Sequence, residues 1–503
     1  MKRIIALIIM ALTVMSTGFA EESMNTVKTN TVHFDYLGAF ESGAKRHIGD
    51  VHPFYWDGKL YMFYLRTDGS FSSELLVSTD FVSFEPVDIT RTSPLPTIDS
   101  YYVLRVQPYR DLFVSYFGAS REVINGSISD DLVTWKRIDA LYPGTLPSMT
   151  YPKGGRDPYL FFDTDINRWR IIHNAIYENA AGRDFDTALA LVTSKTERLE
   201  DGWEDGEIEL LRFDNAGSSR CEDPECPQAM KIADRWYIFA SLYSRTSHGV
   251  GGLSYWKGEA GKALTENDWP RIEEESLDGE DICAAQLVEV ENRLYMYGWV
   301  PQNADGGGWG GALSIAREVY PLPDGDLATR LPDEIRKTIT GPTILELDGD
   351  IRLEGVEKKY CFGKYANYAL DGRYSHAGLH MTLDISEDSK AGIALKCPAS
   401  RYVYLIYVDR AASMMYICTK VGAEYRVRAQ RALQIDDWSS VDLTVLLDGN
   451  IADAFINDRF SLCARLSGTY TLDDAELELF ADGTANFESV RATDLKTPDK
   501  LND

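Results

Sequence analysis

Basic residues are in short supply: 51 Lys and Arg stand against 78 Asp and Glu in 503 residues, a formal charge of −27. Such a surface repels phosphate backbones and anionic headgroups, which excludes nucleic acid and an anionic membrane as natural partners. Histidine is scarce, with seven copies and no HExxH pair, and the seven cysteines include no CxxC. Scattered as Cys221, Cys226, Cys283, Cys361, Cys397, Cys418 and Cys463, they offer no zinc-type ligand set, and an odd number leaves at least one unpaired. No metal and no cofactor is expected. Disulfides are not expected to be the main source of stability. No long apolar run follows residue 20, so no membrane span is expected. Helical periodicity is weak throughout.

The chain is 44% apolar and 12% aromatic, with 28 Tyr and 20 Phe, residues that favour strands. Its length makes two domains the first expectation. At the N-terminus, Lys2-Arg3 leads into an apolar stretch from Ile4 to Met15 and then Gly18-Phe19-Ala20. This is the pattern of a signal peptide over residues 1–20, cleaved near Ala20 and too short to span a bilayer. Secretion, to the extracellular or periplasmic space, is the expectation. The sequence leaves the oligomeric state open.

A repeat organises the next 300 residues. A polar turn followed by an apolar, aromatic strand recurs at Gly58-Lys59-Leu60-Tyr61-Met62, Asp111-Leu112-Phe113-Val114, Asn167-Arg168-Trp169-Arg170-Ile171, Asp234-Arg235-Trp236-Tyr237 and Asn292-Arg293-Leu294-Tyr295. Ser78-Thr79-Asp80-Phe81-Val82-Ser83-Phe84 is echoed by Ser129-Asp130-Asp131-Leu132-Val133-Thr134-Trp135. Five units between about residues 35 and 325 predict a five-bladed β-propeller over 21–335. After a segment with Pro and charge, Leu327 to Pro342, alternating strands such as Tyr402-Val403-Tyr404-Leu405-Ile406-Tyr407 and the Asp448-Gly449-Asn450 turn predict a β-sandwich over 345–497. The fold class is all-β.

An acid precedes each repeat strand. Asp50 lies ten residues before Leu60, Asp157 twelve before Trp169, Glu225 eleven before Trp236, Asp281 thirteen before Leu294 and Asp99 thirteen before Leu112. Asp before a strand is a common turn residue. The first strand of a propeller blade, however, lines the central channel, so one repeated position converges on one mouth of it. Carboxylates brought together there repel, and at least one is held protonated. An acid and an ionised nucleophile in one pocket are what glycoside hydrolysis requires. Asp99 fits least well, because Pro94-Leu95-Pro96-Thr97-Ile98 reads as an ordinary loop.

Four stretches resemble glycoside hydrolase family 32, the β-fructofuranosidases: invertases, inulinases, levanases and related transferases. Arg156-Asp157-Pro158 resembles the family's RDP motif and Glu225-Cys226-Pro227 its ECP motif. The stretches Leu277-Asp278-Gly279-Glu280-Asp281-Ile282-Cys283-Ala284-Ala285-Gln286 and Trp309-Gly310-Gly311-Ala312-Leu313-Ser314-Ile315-Ala316-Arg317-Glu318 resemble two more. The resemblance implies a propeller followed by a sandwich, in agreement with the repeats. It also implies Asp50 as nucleophile, Glu225 as acid/base and Asp157 as the acid that stabilises the transition state. The implied mechanism is retaining, with the Asp50 and Glu225 carboxyls roughly 5–5.5 Å apart.

The sequence departs from the family at the first motif, usually close to WMNDPNG. Here Ile48-Gly49 precedes Asp50 and Val51-His52-Pro53 follows, and Leu65 replaces a Gln. The asparagines that help grip a fructosyl unit are absent. Around the acids, Arg156 is expected to hold a carboxylate or a hydroxyl, or to form a structural ion pair. Cys226 reads as a packed thiol. Trp56, Trp299 and Trp309 are candidates for an apolar sugar wall or for plain core. His52 is a candidate for the pocket, with Asp281 as a further sugar-binding acid. The sequence thus predicts a secreted retaining hydrolase that cleaves a β-fructofuranoside. A five-bladed arabinofuranosidase or xylosidase is the first alternative and a non-catalytic carbohydrate-binding protein the second. The partner in each case is a carbohydrate.

Overall fold

The computed structural model describes residues 47–496 apart from 67–72, 93–104, 118–124, 139–140, 142–154, 179–184, 215–221, 245–248, 272–273, 303–308, 356–364, 398–401, 422–423, 467–471 and 473–474. The expected signal segment, Asp99, Cys221 and Cys361 lie outside the described residues.

Each repeat strand is the second strand of an antiparallel meander. The meanders begin with the inner strands Ile48–Trp56, Arg105–Tyr109, Arg156–Asp163, Glu222–Ile232 and Cys283–Val290. Each pairs with the next strand along the chain: Lys59–Arg66, Leu112–Phe117, Arg168–Glu178, Arg235–Ser244 and Arg293–Pro301. The polar turns between them are the reason the repeat shows in the sequence. Four are two-residue hairpins that need positive φ, taken up by Asp57 and Gly58, Arg110, Ala233, and Glu291 with Asn292. The third has a longer turn, between Asp163 and Arg168.

The echo at Ser78 and Ser129 is one turn built twice. The Asp80 carboxylate accepts from the Val82 and Ser83 N–H groups, and the Ser78 hydroxyl accepts from Phe81 N–H. Asp131 and Ser129 hold Val133, Thr134 and Leu132 in the same way. Phe81 and Leu132 both take positive φ, at 67° and 65°.

Adjacent meanders pack face to face. Phe161, Ile172, Leu189 and Leu191 of the third meet Ala229, Trp236, Ile238 and Trp256 of the fourth, all buried. Each such large side chain contributes about 1.5–3 kcal/mol from burial. The inner strands touch in order around a ring, and the last touches the first. The Gly311–Leu313 strand completes the closure: it pairs with Arg293–Pro301 and, at Ile48↔Gly311, with the first inner strand.

Leu327–Arg330, at the start of the segment with Pro and charge, is a strand of the fifth meander, paired with Arg317–Pro321. A short helix follows, Asp333–Ile339, burying Ile335 and Ile339. The C-terminal strands start at Thr340 and form a seven-stranded and a six-stranded antiparallel sheet. Alternation explains their contact. In His376–Ile385, Ala377, Leu379, Met381, Leu383 and Ile385 are buried against Ile393, Leu395, Ile406 and Leu479 of the other sheet. The five described cysteines, Cys226, Cys283, Cys397, Cys418 and Cys463, are buried. Among the described residues no helix is long and apolar enough to cross a membrane.

Candidate active site

Four inner strands slip register by one residue near their starts, between Ile48 and Val51, Arg156 and Tyr159, Glu225 and Gln228, and Cys283 and Gln286. The slip is a β-bulge, which re-aims side chains that would otherwise alternate. Inside three of these bulges a non-glycine residue takes positive φ: Asp157 at 59°, Cys226 at 49° and Ala284 at 45°. Backbone strain of this kind concentrates at functional sites. Counted back from the ends of their strands, Asp50 and Asp157 occupy the same position and Glu225 stands one residue earlier. The bulges therefore bring these three acids to one rim of the ring, where each affects the ionisation of a neighbour.

Two expected site residues lie elsewhere. Asp281 precedes its strand by two residues, and its carboxylate accepts the Arg465 backbone N–H at 2.9 Å, in the C-terminal sheet. The charges that act on it are those of Arg428, Arg465 and Glu280, not those of the cluster. Its turn is a two-residue hairpin like those after Asp50 and Glu225, so its longer spacing sets it two to three residues farther from the strand end than those acids. Trp56 ends the first inner strand, six residues beyond Asp50 and so roughly 20 Å along an extended chain. It is 46% exposed and packs on Phe54 and Phe113.

Arg156 joins the cluster together. Its Nη2 donates to Asp223 at 2.7 Å and to Glu225, and its Nε lies 3.8 Å from Asp157. Asp223 is fully buried and is fixed from the other side by Asn174 Nδ2 at 2.6 Å. Asp157 accepts the Cys226 N–H at 3.0 Å, which ties the bulge of the third inner strand to that of the fourth. Burial pushes the Glu225 carboxyl up to about 8; Arg156 opposes this, but Asp157, Asp223 and Asp50 add to it. Burial and Asp157 also raise Asp50, to about 6, against hydrogen bonds from Trp299 and Trp309 and the charge of Arg105. At neutral pH one acid therefore carries a proton and the other does not.

Trp309 thus stands beside Asp50. Trp299 joins it, with Nε1 3.2 Å from the same carboxyl. His52 is buried beneath the acids, and desolvation keeps its imidazole neutral. Asp223, Asn174 and Arg105 were not singled out in the sequence. Asp223 was within reach of strand alternation, which puts it on the side of Glu225 two residues on. Arg105 was visible only as a lone cation in an otherwise apolar stretch before a repeat turn.

Gly49 explains the departure beside Asp50. A Cβ there would lie 2.6 Å from Trp309 Cη2 and 3.0 Å from the Leu65 carbonyl. The indole occupies the space an asparagine would need. Gly49→Asn is expected to displace Trp309, cost about 1–3 kcal/mol of stability and lower kcat/KM at least tenfold. An unchanged melting temperature and kcat/KM would show that the ring has room to yield.

Three comparisons bear on this geometry. Residues 362–494 match the family model "Glycosyl hydrolases family 32 C terminal". Sucrose-6-phosphate hydrolase of Zymomonas mobilis is 22% identical over 285 residues, covering 53% of this chain. The chain spans about half the length of that relative, 52%. Among solved structures, the exo-inulinase of Aspergillus awamori superposes with a TM-score of 0.65 at 15% identity, over 94% of this chain and 99% of that one. The Bombyx mori family 32 β-fructofuranosidase gives 0.63 at 16%, over 90% and 93%. Fructan 1-exohydrolase IIa of Cichorium intybus gives 0.64 at 15%, over 90% and 97%. These neighbours have a β-propeller plus β-sandwich fold, which this chain shares along nine-tenths of its length, and its residues 362–494 match the C-terminal model of glycoside hydrolase family 32.

Proposed function

We propose that this protein is a retaining glycoside hydrolase that cleaves a β-fructofuranoside of the sucrose, fructo-oligosaccharide or fructan type. The observation that carries the reading is the split ionisation of two neighbouring half-buried acids, Glu225 at about 8 and Asp50 at about 6. In the first step the Glu225 carboxyl protonates the leaving oxygen. An Asp50 oxygen forms a bond to the anomeric carbon as the glycosidic C–O bond breaks. Glu225, now a carboxylate, takes a proton from water, whose oxygen attacks the same carbon and releases Asp50. Asp157, anchored on Cys226 N–H, accepts hydrogen bonds from sugar hydroxyls as positive charge develops on the ring. We read the five closed meanders as the blades of a five-bladed propeller, residues 21–335, with the sandwich over 345–497. The N-terminal charged, apolar and small-residue pattern supports a secreted protein cleaved near Ala20.

Sugars bound by two structural neighbours support the substrate class: sucrose by a mutant of the Bombyx mori enzyme, and 1-kestose by a variant of the Cichorium intybus exohydrolase. Screening the purified enzyme on sucrose, inulin, levan, arabinan and aryl furanosides, with NMR of the anomer first released, tests the reading. Net retention on a fructofuranoside is expected. Inversion on an arabinoside or xyloside would replace it with the propeller arabinofuranosidase or xylosidase. Tight sugar binding without turnover would leave a carbohydrate-binding protein.

The acid pair also sets a pH profile. Asp50 must be ionised and Glu225 protonated, so kcat/KM should rise through about 6 and fall through about 8. These limbs belong to the coupled cluster rather than to one residue each. A rate that stays flat from about pH 5 to 9 would argue against the assignment.

A further inference from the structure

Beneath the acids lies a second layer that the proposed reaction does not use. His52, Arg105, Tyr159, Gln228 and Gln286 each stand four residues before the end of their inner strand. All five line one cavity of about 420 Å³ inside the ring. Two of them reach up to the bulges of a neighbouring strand. Gln286 Nε2 donates to the Cys226 carbonyl at 2.6 Å, behind Glu225. Arg105 Nη1 donates to the Pro158 carbonyl at 2.7 Å, behind Asp157.

Arg105 is the one cation of this layer. It is 5% exposed, and its Nε and Nη2 have no hydrogen-bond partner among the described residues. A guanidinium is costly to bury unless something offsets the lost hydration. Here the offset is electrostatic. Its charge acts on Asp50, His52, Tyr159 and Cys226. The far end of the cavity carries Glu289 and Glu291, so a mobile anion entering from there meets like charge and does not compete for the guanidinium.

We propose that Arg105 is a positioning residue for the acid cluster: from inside the channel it fixes the bulge that carries Asp157 and balances the negative charge on Asp50. The proposal rests on the hydrolase reading for its meaning but not for its test. The charged and titratable groups that interact with Asp50 are Arg105, Asp157, Glu225 with Cys226, and Cys283, one set from each of the four other inner strands. Arg105 is the cation among them that acts on Asp50 directly.

The test is a tryptophan-fluorescence titration of the full chain. Trp299 and Trp309 both bond to Asp50, so the difference between wild type and Asp50→Asn isolates that carboxyl. Its midpoint in the wild type should fall at about 6. In Arg105→Met the midpoint should move up by about one on the pH scale, and in Arg105→Lys by clearly less. Arg105→Gln, which keeps a donor for Pro158 without the charge, should match Arg105→Met and serves if that variant does not fold. The acidic limb of kcat/KM should move by the same amount with KM little changed. A midpoint unmoved in both neutral variants, or a pH-independent loss of activity, overturns the proposal. A displaced midpoint in Arg105→Met, found in a protein that turns over no glycoside, supports it while overturning the hydrolase reading.

Discussion

Asp50→Asn should lower kcat by about 10⁴-fold or more, the scale seen when a nucleophile is removed from an otherwise intact site, with the fold unchanged. Near-normal turnover would sink the assignment of Asp50. Glu225→Gln should cost about 10²–10⁴-fold, and much of that should return on an aryl furanoside whose leaving group needs no proton. The same substitution carries a stability signature. Glu225 has a folded-state value of about 8 against 4.5 for the free group. The unfolded chain releases this proton first, so the stability linked to it is full below about pH 4.5 and is lost as pH rises through 8. Asp50 does the same between 3.8 and about 6. Glu225→Gln should therefore melt higher than wild type at pH 8, with the gap closing toward pH 4.5. A tenfold change in a protonation equilibrium is worth about 1.4 kcal/mol, so the gap is well within the reach of calorimetry. A gap that is constant with pH would mean that Glu225 is not held protonated by the fold.

How much of this was legible beforehand depends on what each signal encodes. The repeat was legible because its turns are local: each is short and polar, with an Asp, Asn or Gly in or beside it, and the buried strand after it is rich in aromatics. Asp157 and Glu225 were legible because each sits inside a short motif. Asp281 lies outside the cluster because its thirteen-residue spacing spans a two-residue turn and so sets it ahead of the bulge between Cys283 and Gln286, and only the bulges define the true register. Trp56 failed for a related reason: six residues along a strand is the whole depth of the ring. Asp223 and Arg105 act across strands, and one sequence holds no record of which strand lies beside which. Gly49 was read as a loss, the absence of a sugar-gripping asparagine. The structure gives it a cause, since the Trp309 ring fills the position.

The second large effect should come from Arg317, which the sequence placed in a family motif and the structure places in a seam. It is fully buried, with Nε 3.0 Å from Asp278 and Nη2 on Asp453 of the C-terminal sheet. Asp278 in turn accepts Ser461 Oγ at 2.5 Å and Cys463 N–H at 2.7 Å, both from that sheet. Arg431 closes the network on the Leu277 carbonyl and Thr329. Two of the four motifs that point to the family therefore fasten the C-terminal sheets to the ring, while Trp309 at the head of one of them also bonds to Asp50. Arg317→Met removes one charge and leaves two buried carboxylates facing each other, which should cost about 3–5 kcal/mol. The melting transition should move down by several degrees and broaden or divide as the two parts lose their common fastening. Replacing Asp278, Arg317 and Asp453 together by Leu, Met and Leu should recover most of the loss, because a buried ion network is often no better than apolar packing of similar volume. A single Arg317→Met variant that melts like wild type would show that the seam is held by its apolar contacts, Leu446 and Phe455 against Ile315 and Ile335, and not by charge.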